Sequence, residues 1–396
     1  MQRRDLLKII AAMPALSFSG KLLSAPATDN KFLLVFLRGG YDAANLLVPY
    51  SSSFYYESRP TIAIPKPDAN ALSAIALDSH WGLHPALQKS LYPFYQRNQL
   101  AFLPFAGTDD LSRSHFETQD TIELGQPING TRNFQSGFMN RLAAQLDGKS
   151  AIAFTEQIPL CMRGNIAIPN LALKQINKSG VNARQANIIN DMYKDTQLAH
   201  QVSQGFDVRT QMQNDMKQEM DAASRQAIST KGFEAEAKRI ATMMCDNFNL
   251  GFVDIGGWDT HVGQGAASGN LAGRLEELGR GLAAFAEGMG NQWSQTLVVV
   301  VSEFGRTFRE NGNRGTDHGH GSTYWILGGD VNGGRIVGEQ IDVNAKTLFQ
   351  NRDFPVLNDY RSFLGGLFSR HFQLSPQQLE QVFPNVAARD FNLLNT

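Results

Sequence analysis

The chain has 396 residues, 42% hydrophobic and 18% charged, with a formal net charge of −1. That length supports a large core, and the balanced charge with no basic face argues against nucleic acid as a partner. No run of about 18 apolar residues is free of charge, so no mature membrane span is expected.

Residues 1–27, MQRRDLLKIIAAMPALSFSGKLLSAPA, join Arg3-Arg4 to a short apolar run from Leu6 to Phe18 and a small-residue site at Ala25-Pro26-Ala27. This order reads as a secretory signal, and the paired Arg before Asp-Leu-Leu-Lys resembles the twin-arginine type. The alternative is a cytoplasmic amphipathic leader. A signal implies a periplasmic or secreted destination and the twin-arginine export machinery as a partner. That route carries folded proteins, often with a cofactor already loaded.

KFLLVFLRGG, residues 31–40, is an apolar run ended by a double glycine. It predicts a strand buried on both faces, as in a parallel sheet covered by helices. Asp42 is the first acid beyond it, and either caps the next helix or ligates a metal. Within DSHWGLHPAL, His84 reads as a packing or capping residue, and neither it nor His80 is assigned to the site.

The next apolar run, Leu100 to Phe105, leads into Ser112-Arg113-Ser114-His115. Ser112 or Ser114 could be a nucleophile activated by a base or a metal, with Arg113 holding an anion. Ser114 with Glu117 also fits the capping of a helix that begins here. A further run covers Ala151 to Phe154. Residues 183–247, rich in Gln, Asn, Met and Ala, predict two or three helices inserted beside the sheet.

Leu250 to Ile255 is the next strand, and Gly256-Gly257-Trp258-Asp259-Thr260-His261 follows. Asp259 and His261, two apart on a loop, can face one ion, and such ligands suit zinc, manganese or iron. Leu271, Leu275, Leu278, Leu282, Phe285 and Met289 then fall on one helical face. Thr296 to Val301 is a strand that delivers Glu303. A buried Glu needs a metal or a salt bridge, and Arg306 is the nearby partner. GTDHGHG, residues 315–321, offers Asp317, His318 and His320 on a loop that glycine lets bend. The two His share a side if the segment is extended. The last strand runs from Tyr324 to Leu327.

Strand, helix and strand alternate, so the expected fold is an α/β sandwich of three layers with a mainly parallel sheet, built as one domain from residue 28. Ligand-type residues recur where strands end, which is where open parallel sheets bind ligands. Cys161 and Cys245 form no CxxC, which excludes zinc knuckles and attached haem. One disulfide or two free thiols are both open.

LLVFLRGGYDAANLLVPY, SRSHFETQD, GGWDTHVGQ, VVVVSEFGRTFRENG and GTDHGHGSTYWILGG, in this order after the leader, resemble the bacterial family called domain of unknown function 1501. That family looks like a distant relative of the alkaline phosphatase and sulfatase superfamily. The resemblance implies an alkaline phosphatase-like sheet between helices and one or two divalent ions (zinc, manganese or calcium). The implied ligands are Asp42, Asp259, His261, Glu303, Asp317, His318 and His320. It also implies attack by Ser112 or Ser114 on an anionic ester, with Arg113 or Arg306 steadying the anion. No Cys-x-Pro-Ser-Arg motif occurs, so a formylglycine sulfatase is not expected. Two functions follow: an exported metal-dependent hydrolase of phosphate or sulfate esters, or a non-catalytic periplasmic binding or assembly protein that keeps the fold.

Overall fold

The structure, a computed structural model, describes residues 29–146, 150–173 and 227–395. The expected leader, residues 1–27, lies outside them. Each apolar run forms a strand: β1 (Lys31–Leu37), β2 (Leu100–Gly107), β3 (Ala151–Ala153), β4 (Leu250–Ile255), β5 (Thr296–Ser302) and β6 (Ser322–Gly328). With the short β7 (Arg335–Ile336) and β8 (Asn358–Asp359) they make one sheet of eight strands. Its order is β7-β2-β6-β5-β1-β4-β3, with β8 also paired to β2. β6 runs antiparallel to both β2 and β5, and every other pairing is parallel.

The main helices are α1 (His115–Leu124), α2 (Phe138–Gln145), α3 (Phe233–Asp246), α4 (Asn270–Met289), α5 (Tyr360–His371) and α6 (Pro376–Val382). Side-chain alternation along the strands creates two cores. Leu33, Val35 and Leu37 of β1 pack with α3 and α4, whereas Phe32, Leu34 and Phe36 pack with α1, α2, α5 and α6. The three-layer expectation therefore holds. All six positions of the apolar stripe on α4 are buried, and each large aliphatic or aromatic side chain so buried contributes about 1.5–3 kcal/mol. Of the helical insert expected over 183–247, residues 183–226 lie outside the described residues. The remainder contains α3, which packs in the layer of α4. No described helix is long and apolar enough to cross a membrane.

Cys161 is buried in the second core, and Cys245 packs against the first. The sheet stands between them, and both thiols are free.

His84, read as a packing or capping residue, caps the turn at Pro85–Leu87. Its Nδ1 accepts the Ala86 N–H at 3.1 Å, and its Nε2 lies 3.1 Å from the Ala266 carbonyl. A proton added at Nδ1 would face a donor, and the ring has no solvent to turn to. Burial accordingly lowers its pKa to about 4, and does the same to His371, whose Nε2 meets the Lys31 carbonyl. Both values lie below the ordinary 6.5. The stability these rings lend is thus complete above 6.5 and is lost as pH falls toward 4, because the unfolded chain takes up the protons first. Thermal melts at pH 7 and pH 5 should show this loss, and His371→Gln should reduce it. An unchanged pH slope in that variant would refute the assignment.

Candidate metal centre

The loops after β2, β4 and β5 meet at one rim of the sheet. Glycine makes the approach possible. Gly39 holds φ at +121°, and a Cβ there would stand 2.7 Å from the Asp259 backbone nitrogen. A Cβ on Gly319 would fall 2.4 Å from the backbone of Arg306, so the GTDHGHG loop can lie along the segment after β5. Residues 305 and 307 bond the loop at Gly319, His320 and Asp317.

One carboxylate and three imidazoles converge there. Ligand atoms of His115, Asp259 and His318 all lie within 4.8 Å of one another. His318 Nε2 is 2.9 Å from His115 Nε2 and 3.1 Å from His261 Nε2. Asp259 Oδ1 is 2.9 Å from His261 Nε2 and 3.3 Å from His318 Nε2.

The far side of each ring explains its orientation. His115 Nδ1 meets Glu303 Oε1 at 2.8 Å, His261 Nδ1 meets Asp317 Oδ1 at 3.1 Å, and His318 Nδ1 meets the Arg113 carbonyl at 3.1 Å. All three partners are acceptors, so each Nδ1 is assigned the proton. The Nε2 of His318 then faces those of His115 and His261, an arrangement that a proton or a metal cation between them relieves. Asp259 Oδ2 is buried 3.5 Å from His115 Nε2 and makes no closer polar contact, although such atoms are ordinarily satisfied. The residues present therefore fit a metal ion.

Charge at the rim follows the same logic. Burial opposes charging of His115, but Asp259 and Glu303 overcome it and raise its pKa to about 9. His261 is raised as well: burial opposes this, and the bond to Asp259 outweighs it. Burial acts against ionised Asp259, yet its three His contacts and Arg306 hold it far below the carboxylate range. Glu303 falls to about 2, because bonds from His115 and Gln119 outweigh its burial. Without a cation, a proton bridges imidazole and carboxylate. A metal must displace the protons of His115 and His261, so apparent affinity should rise by at least about tenfold per pH unit below pH 9, where His115 gives up its proton. Chelator-competition titrations between pH 6 and 10 measure this, and a flat profile would contradict it.

The other anticipated residues are placed differently. Glu303 stands behind His115 as its acceptor rather than at the centre, and it also takes the Gly39 N–H and the Ser302 hydroxyl. Asp317 stands behind His261 in the same way, held by Asn311 at 3.0 Å. Asp42 is not among the converging groups; both its oxygens bind the buried Arg59, and Oδ2 also accepts from Gln264. His320 is buried beside the Phe349 ring, outside the cluster.

Arg306, expected to steady an anion or pair with Glu303, is instead fully buried against Asp259 and Thr316. Arg113 turns to Asp353 and Gln350. Its backbone, at φ +52°, presents the carbonyl that orients His318. Ser114 caps α1 through the Glu117 N–H, and Ser112 meets Thr118. Among the described residues, neither hydroxyl bonds a histidine or acid of the cluster.

His115 was the ligand that sequence reasoning passed over. It stood in the quoted motif SRSHFETQD, but its value depends on Glu303, 188 positions away. Arg352 was missed too. It is half exposed and donates to the His318 carbonyl at 2.8 Å.

The chain is similar to a protein in the alkaline phosphatase superfamily from Vibrio parahaemolyticus, at 12% identity and a TM-score of 0.41, over 94% of this chain and 76% of that one. It is also similar to Ps i-CgsB, at 10% identity and a TM-score of 0.41, over 89% and 74% of the two chains. No curated protein matches it. The family described as protein of unknown function (DUF1501) matches residues 29–383, and the chain belongs to that family.

Proposed function

We propose that the chain is an exported, metal-dependent hydrolase of phosphate or sulfate esters, with one ion held by His115, Asp259, His261 and His318. The observation that carries this reading is the set of three Nε2 atoms whose Nδ1 partners are all acceptors, beside an unsatisfied Asp259 oxygen. Three imidazoles and one carboxylate suit zinc, manganese or iron, and not calcium, which prefers oxygen throughout.

When bound, such an ion polarises the ester and lowers the pKa of the attacking group. The chain's own residues supply the rest. Arg306 neutralises one oxygen of Asp259 and fixes its plane. Glu303, Asp317 and the Arg113 carbonyl fix the rings. Arg352, half exposed, tied to the His318 carbonyl and 3.7 Å from Asp353, is in this reading the guanidinium that meets an anionic group. Neither Ser112 nor Ser114 contacts a base, so water is the attacking oxygen in this reading. His261 and His318 are partly exposed, which leaves the centre a solvent face.

The test is metal content together with turnover of nitrophenyl phosphate and nitrophenyl sulfate. Protein that binds no metal and turns over neither ester with any divalent ion rejects the proposal. Bound metal without turnover favours the non-catalytic binding or assembly role, and the carboxylates that already engage Arg113 and Arg306 support that alternative.

A further inference from the structure

Behind Glu303 lies a second row of buried polar groups that the metal centre does not itself use. Gln119, on α1 one turn after His115, is fully buried. Its Nε2 donates to Glu303 Oε1 at 2.9 Å, and its Oε1 accepts from Arg38 Nη1 at 2.9 Å. The amide can lie only one way round, since a guanidinium only donates and a carboxylate only accepts. Arg38 is itself pinned between Glu123 at 2.9 Å and Asp254 at 2.6 Å. All four residues are buried, and Arg38, Glu123 and Asp254 line a cavity on the side away from Gln119.

We propose that Gln119 and Arg38 are positioning residues for the metal centre: Arg38 orients the Gln119 amide, the amide holds Glu303, and Glu303 aims His115. The proposal rests on the metal-centre reading above and extends it three hydrogen bonds inward. A guanidinium at one end of the amide polarises it, which strengthens the N–H that Glu303 receives. Glu303 is then fixed from three sides, by Gly39, Gln119 and Ser302. The oxygen that Gly39 and Gln119 hold, Oε1, is the one that meets His115 Nδ1.

The full chain, stripped of metal and titrated with cobalt(II), provides the test, read by affinity and by the visible d–d spectrum. Gln119→Glu puts a carboxylate against Glu303, and Gln119→Met removes both hydrogen bonds at similar volume. Each should weaken cobalt binding measurably, by no more than the roughly 10–100-fold that losing Glu303, the partner of the ligand itself, would cost. Each should also change the spectrum, which a remote packing defect would not do. Wild-type affinity and spectrum in both single variants overturn the proposal. Melting curves identify an unfolded variant, and the other single variant then decides. A wild-type chain that takes up no cobalt removes this inference together with the reading beneath it.

Discussion

Asp259→Ala is expected to lose the metal and much of the stability together, whereas His318→Ala loses the metal alone. Asp259 carries the charge that neutralises Arg306, and both side chains are buried. Its removal leaves a guanidinium without solvent or counter-ion, at a cost of about 3–5 kcal/mol. His318 is different. It is partly exposed, and its Nε2 is crowded by two other ring nitrogens. Truncating it relieves that crowding in the metal-free protein, and the melting temperature should barely move. Affinity should nonetheless fall by more than the roughly 100-fold that an outer-shell partner costs. Elemental analysis after dialysis against a chelator, paired with thermal denaturation, separates the two variants. Full metal content in His318→Ala would remove that histidine from the centre.

The second large effect lies at Arg59. Its guanidinium donates to Asp42, Asn45 and the carbonyls of Thr307 and Phe308. It thereby ties the segment after β1 to the segment after β5. Arg59→Ala and Asp42→Ala should each destabilise by about 3–5 kcal/mol, since either strands a buried charge. Replacing both at once, with Arg59→Met and Asp42→Leu, should recover much of that loss. Metal uptake should persist in all three proteins. If Asp42→Ala stays stable but loses its metal, Asp42 is a ligand after all.

These two expectations mark where the sequence was legible. Strands β1, β2, β4 and β5 were visible as apolar runs because burial on both faces leaves no alternation to misread. Even the order of Asp259 and His261 behind β4 pointed to the right loop. Position within the site was harder. Asp42 and Glu303 look alike in sequence, each an acid just past a buried strand. Their roles are set by what lies opposite: Arg59 for one, His115 for the other, neither within reach of a local motif. The same holds for GTDHGHG, where the three ligand-type residues divide among three tasks. His318 faces the centre, Asp317 supports His261, and His320 packs on Phe349. Backbone pairing with residues 305–307 produced that division, and nothing in seven residues encodes a partner strand.

The two thiols on opposite sides of the sheet carry a consequence for the protein's life history. Nothing in the fold waits for an oxidant, so the chain can reach its final shape in a reducing cytosol. Dithiothreitol should leave its melting curve untouched.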